Sequence, residues 1–438
     1  NGGADSRAEA LRESILSAES GIQTGRKFYY VSSQGDDAND GTSPEKPIQS
    51  LTRIGTLPLR SGDRVLFRRG DMFRAEYPLG LRGGVWYGAY GEGKKPLICG
   101  SVRDYADESI WTCKEGDLWI LSLPYEQAGM INFNGDHEIG FRKQTLELVE
   151  KHGDYYHDVE NGVLYLNCAY GNPGAHYEEI EIATTDDILL AQNVNDVRVD
   201  NLCLKYASKF GIDFGNNKEI VVSNCEIAWI GGAIYRGDIR YGNGVQFWYR
   251  ADDVCVEHCL FYQIFDAAVT YQGFGTDKPI FRNIVFKDNL IENCSMNIEC
   301  WAGTGDGNGP EPILRNIEVK ENIVRFGAYG WGGLQRPDLG DQALFMAWDR
   351  HYKDNENLSI TDNVFDCGDC SLIWSLPPEK QEGLFVRGNS YYQRPYTGRN
   401  PYTEVVRTTD LHAHDQASLE RAVAYFDKEP KEVRWIEL

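Results

Sequence analysis

A strand-length unit recurs down the second half of this chain, and it constrains the fold more than any other feature. Its core reads I/V-x-V-x-x-N. It appears as VRVDNLCL (197–204), IVVSNCEI (220–227), VCVEHCLF (254–261), IVFKDNLI (284–291), IEVKENIV (317–324), LSITDNVF (358–365) and LFVRGNSY (384–391). Alignment puts Leu202, Cys225, Cys259, Asn289, Asn322, Asn363 and Asn389 in one column. Each copy is partnered by a second short strand: GIDFGN (211–216), GVQFWY (244–249), AVTYQG (268–273), NIECWA (297–302), ALFMAW (343–348) and SLIWSL (371–376). Successive units begin roughly 23 to 46 residues apart with no helix between them. That spacing is too short for four-stranded propeller blades and suits coils with variable loops, so it predicts a parallel β-helix. The Asn column supports this, because a buried Asn stacked on the Asn of the next coil satisfies amides along a ladder.

The fold class expected is all-β, a right-handed parallel β-helix with an N-terminal capping helix and a short C-terminal helix. Residues 5–19 read as a helix with Leu11, Ile15 and Leu16 on one face, placed to cover one open end. Residues 415–430 read as a second helix, placed to cover or flank the other. The expected organisation is one structural domain: a capping helix and linker (1–26), first coils with a β-rich insertion (27–182), regular coils with long loops (183–395) and a tail with a helix (396–438).

Side chains alternate along a strand. In the second strand family the inward columns are Ile212, Val245, Val269, Ile298, Leu344, Leu372 and Phe214, Phe247, Tyr271, Cys300, Met346, Trp374. The outward columns are then Asp213, Gln246, Thr270, Glu299, Phe345, Ile373 and Gly215, Trp248, Gln272, Trp301, Ala347, Ser375. Coils stack about 4.8 Å apart, so a polar row with indoles beside it runs along the solenoid. Indoles next to carboxylates and amides suit carbohydrate, whose C–H faces stack on aromatic rings while its hydroxyls hydrogen-bond. The bland alternative is that loops cover this face and the Trp residues are core. Loops 230–244, 303–312, 326–342 and 348–357 border it, bringing Arg236, Asp238, Arg240, Trp331, Arg336, Asp338, Asp341, Asp349, Arg350 and His351. Each Arg–Asp pair among them equally suits a loop-bracing ion pair.

Composition narrows the partners. The net charge of −22 repels phosphate backbones, so nucleic acid is not an expected partner, and it disfavours a polyanionic substrate without a local basic cluster. No apolar run reaches the roughly 18 residues of a membrane span. The eleven cysteines sit mostly in strand-like stretches and suit buried thiols in a reducing compartment. With no signal-peptide pattern visible, a cytoplasmic location is the expectation, and a secreted or periplasmic one if the chain is a processed form. Cys367 and Cys370 form the one C-x-x-C, without a second pair for zinc. The segments 35–42 and 303–309 offer Asp and Asn oxygens of the kind Ca²⁺ takes, but turn chemistry explains them, and no cofactor is expected.

The opening FYYVSSQGDDANDGTSPEKPIQSL, followed by SGDRVLFRRGD, resembles the N-terminal coil of pectin-lyase-like right-handed β-helix proteins. GDYYHDVENGVLYL (153–166) looks like an insertion found in carbohydrate-active members. GNGVQFWYRADDVCVEHCLFYQIFDAAVTYQG is similar to a coil of the branch near glycoside hydrolase family 141. The resemblance spans roughly residues 27–395. It implies a carbohydrate-active enzyme and leaves the reaction open, since hydrolases, lyases and epimerases share this scaffold. Asp266 and Glu299 match the branch pattern best.

Hydrolysis of a glycosidic bond needs two carboxyl groups, about 5–5.5 Å apart for retention or 6.5–9.5 Å for inversion. Glu299 faces out in mid-solenoid next to Trp301, and apolar surroundings suit it to general acid work. Asp266 lies one coil earlier and four residues back, roughly 13 Å away along a straight strand. Asp341 holds the equivalent position one coil later. The sequence therefore predicts a glycoside hydrolase, exo-acting on plant- or microbe-derived oligosaccharide or polysaccharide. Its candidate catalytic residues are Glu299, Asp266, Asp341 and Asp349. Its candidate substrate-binding residues are Trp301, Trp248, Gln272, Gln246, Asp213, Arg236, Asp238, Arg240, Trp331, Arg336 and His351. The alternatives are a polysaccharide lyase drawing on Arg236, Arg240, His351, Tyr352 and Lys209, and a non-catalytic glycan-binding solenoid.

Overall fold

A computed structural model describes residues 2–237, 239–273, 277–302, 309–336, 343–347, 355–368, 371–374, 383–395 and 414–437. The repeated unit folds as a parallel β-helix with two long sheets. Among the described residues one holds sixteen strands and is bent along its length, because strands such as Phe210–Ser223 and Val245–Glu257 run through two faces of the coil. The other holds ten strands, among them Leu260–Ile264, Leu290–Glu292 and Ile323–Arg325.

The coil turns tightly before each ladder residue. Asn201, Asn224, His258, Asp288, Glu321, Asp362 and Gly388 all adopt positive φ, between 50° and 71°. Asn, Asp and Gly visit this left-handed region at least cost, which accounts for most of that column. The next residue then points inward. Asn289 Nδ2 donates to Asn322 Oδ1, Asn322 Nδ2 to Asn363 Oδ1, and Asn363 Nδ2 to Asn389 Oδ1, each at 2.9 Å. Asn389 Nδ2 donates in turn to Asp427 Oδ2 at 3.0 Å. The cysteines continue the column, with Cys259 N donating to Asn289 Oδ1 at 3.0 Å. The expected Asn ladder is thus a satisfied chain of buried amides, closed by an aspartate at the end of the C-terminal helix.

That helix, Gln416–Phe426, buries Leu419, Val423 and Phe426 in the solenoid core, as expected of a cover over the C-terminal end. The N-terminal helix Gly2–Ser17 does not close the other end. It lies along the flank of the ten-stranded sheet. Ala4, Ala8 and Ile15 pack on Leu260, Leu290, Ile323 and Val364, which are outward-facing apolar residues of successive coils. Leu16, expected on its apolar face, is 40% exposed. The N-terminal end is covered instead by the short helix Leu51–Thr56, whose Ile54 joins the core. Between the early coils and the regular ones, residues 105–182 form a subdomain of mostly antiparallel strands with its own apolar cluster around Trp111, Phe133, Tyr155 and Leu166.

Candidate active site

The second strand family builds the outer face that matters. Register pairs Asp213 with Gln246, Gln246 with Thr270, and Thr270 with Glu299. It pairs Gly215 with Trp248, Trp248 with Gln272, and Gln272 with Trp301. Beneath them Ile212, Val245, Val269 and Ile298 are fully buried. The polar row read from alternation therefore exists as a row. One coil later the alignment fails by one residue. Ile298 pairs with Phe345 and Phe345 with Ile373, where the alignment expected Leu344 and Leu372, and Met346 pairs with Glu299.

Glu299 is 5% exposed and Asp266 8%, so neither carboxyl stands open on a bare face. Thr270 Oγ1 donates to Glu299 Oε2 at 3.3 Å, and Gln272 Nε2 donates to the same oxygen. Asp266 is brought near by a corner. The coil turns there, Met296 N donates to the Asp266 carbonyl at 3.2 Å, and Asn297 has φ 54°. Opposite it, a bulge between Ala267 and Val269 breaks the straight course that would have kept the two carboxyls far apart. Arg336 completes the group, its Nη1 2.5 Å from Asp266 Oδ1. Burial pushes the Glu299 carboxyl up to about 8, and the neighbouring Asp266 carboxyl adds to the rise. Arg336, Gln272 and Thr270 pull against it.

The remaining candidates divide. Gln246 Nε2 donates to Asp213 Oδ1 at 2.9 Å, and Trp248 is half-buried in register beside Gln272. Arg236 is exposed on the hairpin 233–241, its guanidinium over the Tyr235 ring. Two expectations are corrected. Trp331, expected to bind substrate, is 2% exposed, packs with its ring tilted against Phe265 and donates its indole N–H to the Gln263 carbonyl at 2.9 Å. Arg240, expected to meet substrate, is 2% exposed and donates to backbone carbonyls of Gly232 and Gly129. Asp238, Asp341, Asp349, His351 and Tyr352, and the side chain of Trp301, lie outside the described residues. Lys209 is ion-paired with Asp186, which ties up one of the bases a lyase would need.

Sequence reasoning missed a further acidic group on this face. Asp187–Gln192 is another rung of the same family, pairing Leu190 with Asp213. Burial, then Asp213 and Asp186, push the Asp187 carboxyl up to about 7. Its signal was the run DILLAQ, where Leu190 breaks the alternation. Among the described residues no group of three or more His, Cys, Asp or Glu side chains is arranged to hold a metal ion. In the turn 35–42, Asp37 and Asp40 accept from backbone N–H groups of Gln49, Ser50 and Thr42, which is turn chemistry. No helix among the described residues is long and apolar enough to cross a membrane.

The fold is a parallel β-helix, and it is shared with solved carbohydrate-active proteins. A solved glycoside hydrolase superposes with a TM-score of 0.51 over 84% of this chain and 93% of that one, at 12% identity. By sequence the chain is similar to a lacto-N-biosidase of Bifidobacterium longum subsp. longum, at 21% identity over 398 residues. That match covers 74% of this chain and 24% of the other, so the chain spans about a quarter of the length of that curated relative. A solved lacto-N-biosidase of glycoside hydrolase family 136 from Eubacterium ramulus has a TM-score of 0.40 at 15% identity, over 92% of this chain and 67% of that one. No family model matches the chain.

Proposed function

We propose that this chain is a glycoside hydrolase acting on oligosaccharides, with Glu299 as general acid and Asp266 as its base or nucleophile. The observation that carries the reading is the pairing of two buried carboxyls in unequal surroundings. Asp266 is ion-paired with Arg336, whereas Glu299 is held by neutral donors and pushed up to about 8. At neutral pH the raised Glu299 carboxyl carries the proton, while the Arg336 guanidinium supplies a counter-charge for Asp266 as carboxylate. Both donors to Glu299 converge on Oε2, so its proton falls to Oε1, where it meets a leaving-group oxygen. The row through Gln272, Trp248, Gln246 and Asp213 supplies hydroxyl partners and an indole along the solenoid axis. The similarity to a lacto-N-biosidase supports a glycosidase of oligosaccharides over a lyase.

The test is a panel of 4-nitrophenyl glycosides, including the lacto-N-bioside, beside uronate-containing oligosaccharides monitored for the absorbance of an unsaturated product. Hydrolysis that disappears in both Glu299→Gln and Asp266→Asn is the expected result. Unsaturated product, or full activity in either variant, sinks the assignment.

A further inference from the structure

The segment that delivers Arg336 to Asp266 is not part of the solenoid wall. It is a five-residue helical turn, Trp331–Gln335, capped by Arg336 itself. Gln335 locks it to its surroundings. Gln335 Nε2 donates to the Gly140 carbonyl at 2.9 Å, and its Oε1 accepts from Arg142 N at 3.3 Å. Both partners belong to the inserted subdomain. Arg240, from the hairpin 233–241, donates Nη1 to the Gln335 carbonyl at 3.2 Å and to Gln335 Oε1 at 3.3 Å. The rest of the Arg240 fork is spent on the joint: Nε to Gly232 O at 2.8 Å and Nη2 to Gly129 O at 3.0 Å. Its guanidinium lies 4.7 Å from the Phe265 ring centre, one residue before Asp266.

Backbones close on one another here as only glycines allow. A Cβ on Gly232 would sit 2.2 Å from the Gly129 carbonyl oxygen, and one on Gly332 2.5 Å from that of Phe265. The joint is therefore close-packed, and its geometry passes directly to Arg336. Among the described residues the titratable groups facing Glu299 are Asp266 and Arg336, and the joint behind them adds Arg142, Arg240 and Tyr155.

We infer that Arg240 and Gln335 are positioning residues: with the inserted subdomain they hold Arg336 against Asp266 and so set the charge on the carboxyl pair. This rests on the reading of Glu299 and Asp266 as a working pair. It gives the insertion a task in the chemistry rather than in binding a second ligand. A fork geometry suits the task, since a guanidinium bonding three backbone carbonyls and a side-chain amide oxygen fixes angles that an ammonium does not.

The test reads the carboxyl itself. Protein labelled with carbon-13 at the glutamate carboxyl is titrated by NMR, and the Glu299 signal is assigned by its loss in Glu299→Gln. Arg336→Met raises the Glu299 midpoint by about one pH unit, because a neighbouring cation has been removed. Gln335→Ala and Arg240→Lys raise it in the same direction by a smaller amount, and lower kcat on the best glycoside of the panel about tenfold with KM within about twofold. Melting temperature is recorded for each. A variant pair that melts lower but titrates at the wild-type midpoint overturns the inference, as does an unmoved midpoint in Arg336→Met. Shifted midpoints in a protein that hydrolyses no glycoside leave the positioning intact and remove the proposed function instead.

Discussion

Glu299→Gln separates the chemistry of this carboxyl from its effect on stability. The ordinary glutamate value is 4.5, and in the fold Glu299 is pushed up to about 8. A carboxyl raised in this way favours the folded state while it is protonated, and that contribution is lost as pH climbs from 4.5 to about 8. Each pH unit of difference corresponds to about 1.36 kcal/mol, so the ceiling over this window is on the order of 5 kcal/mol. Part of the shift comes from Asp266, and a few kcal/mol is the working expectation. Glutamine keeps the shape and still accepts from Gln272 and Thr270, but never ionises. Wild type and variant should therefore have similar unfolding free energies in urea at about pH 5, while at about pH 9 the variant is the more stable by about 2–4 kcal/mol. Hydrolysis should fall by about 10²–10⁴-fold at every pH. If the stability difference is the same at both pH values, Glu299 does not titrate in this window and the acid–base argument fails with it.

Three other outcomes follow from the same structure. Asn322→Leu strands the Phe286 carbonyl and the Asn289 N–H, and should cost on the order of 3 kcal/mol by urea denaturation. Gly232→Ala, at φ 88° with a carbonyl oxygen 2.2 Å from the new methyl, should destabilise by more than about 1 kcal/mol in thermal melts and lower kcat through the displaced joint. Gln272→Leu removes a donor that pulls the Glu299 carboxyl down, so the alkaline limb of the kcat/KM profile should move to higher pH; a limb that stays put refutes that role.

Stacking is what made much of this legible. In a parallel coil, neighbours in space are residues at the same position of successive repeats, so period-two alternation becomes columns. The row Asp213, Gln246, Thr270, Glu299 and the ladder from Asn289 to Asn389 could both be read that way. The reading failed at ALFMA, where apolar residues occupy both parities and nothing in the pattern distinguishes one register from its one-residue slip. The N-terminal helix was misplaced because an amphipathic stripe does not say what it packs against. The missing information sat elsewhere, in the outward apolar column Leu260, Leu290, Ile323 and Val364. Arg240 and Trp331 were read as ligand contacts because loop Arg and Trp residues invite that reading. Arg240 is buried against the Gly129 and Gly232 carbonyls and Trp331 against Phe265 and the Gln263 carbonyl, and contacts that distant in sequence leave no local periodicity.

The three groups at the centre come from three kinds of structure, and that division has a consequence. Glu299 sits on a strand fixed on both sides by register, Asp266 at a coil corner fixed by a bulge, and Arg336 on a turn held from outside the solenoid. Strand registry places the carboxyl of Glu299 but cannot tune it, because every rung repeats the same spacing. Tuning requires something that does not repeat, and the insertion and the hairpin are the non-repeating parts that reach this corner. On the proposed reading a solenoid coil becomes a site where an inserted element closes onto it, and the joint among Gly129, Gly232, Arg240 and Gln335 is where that closure is made.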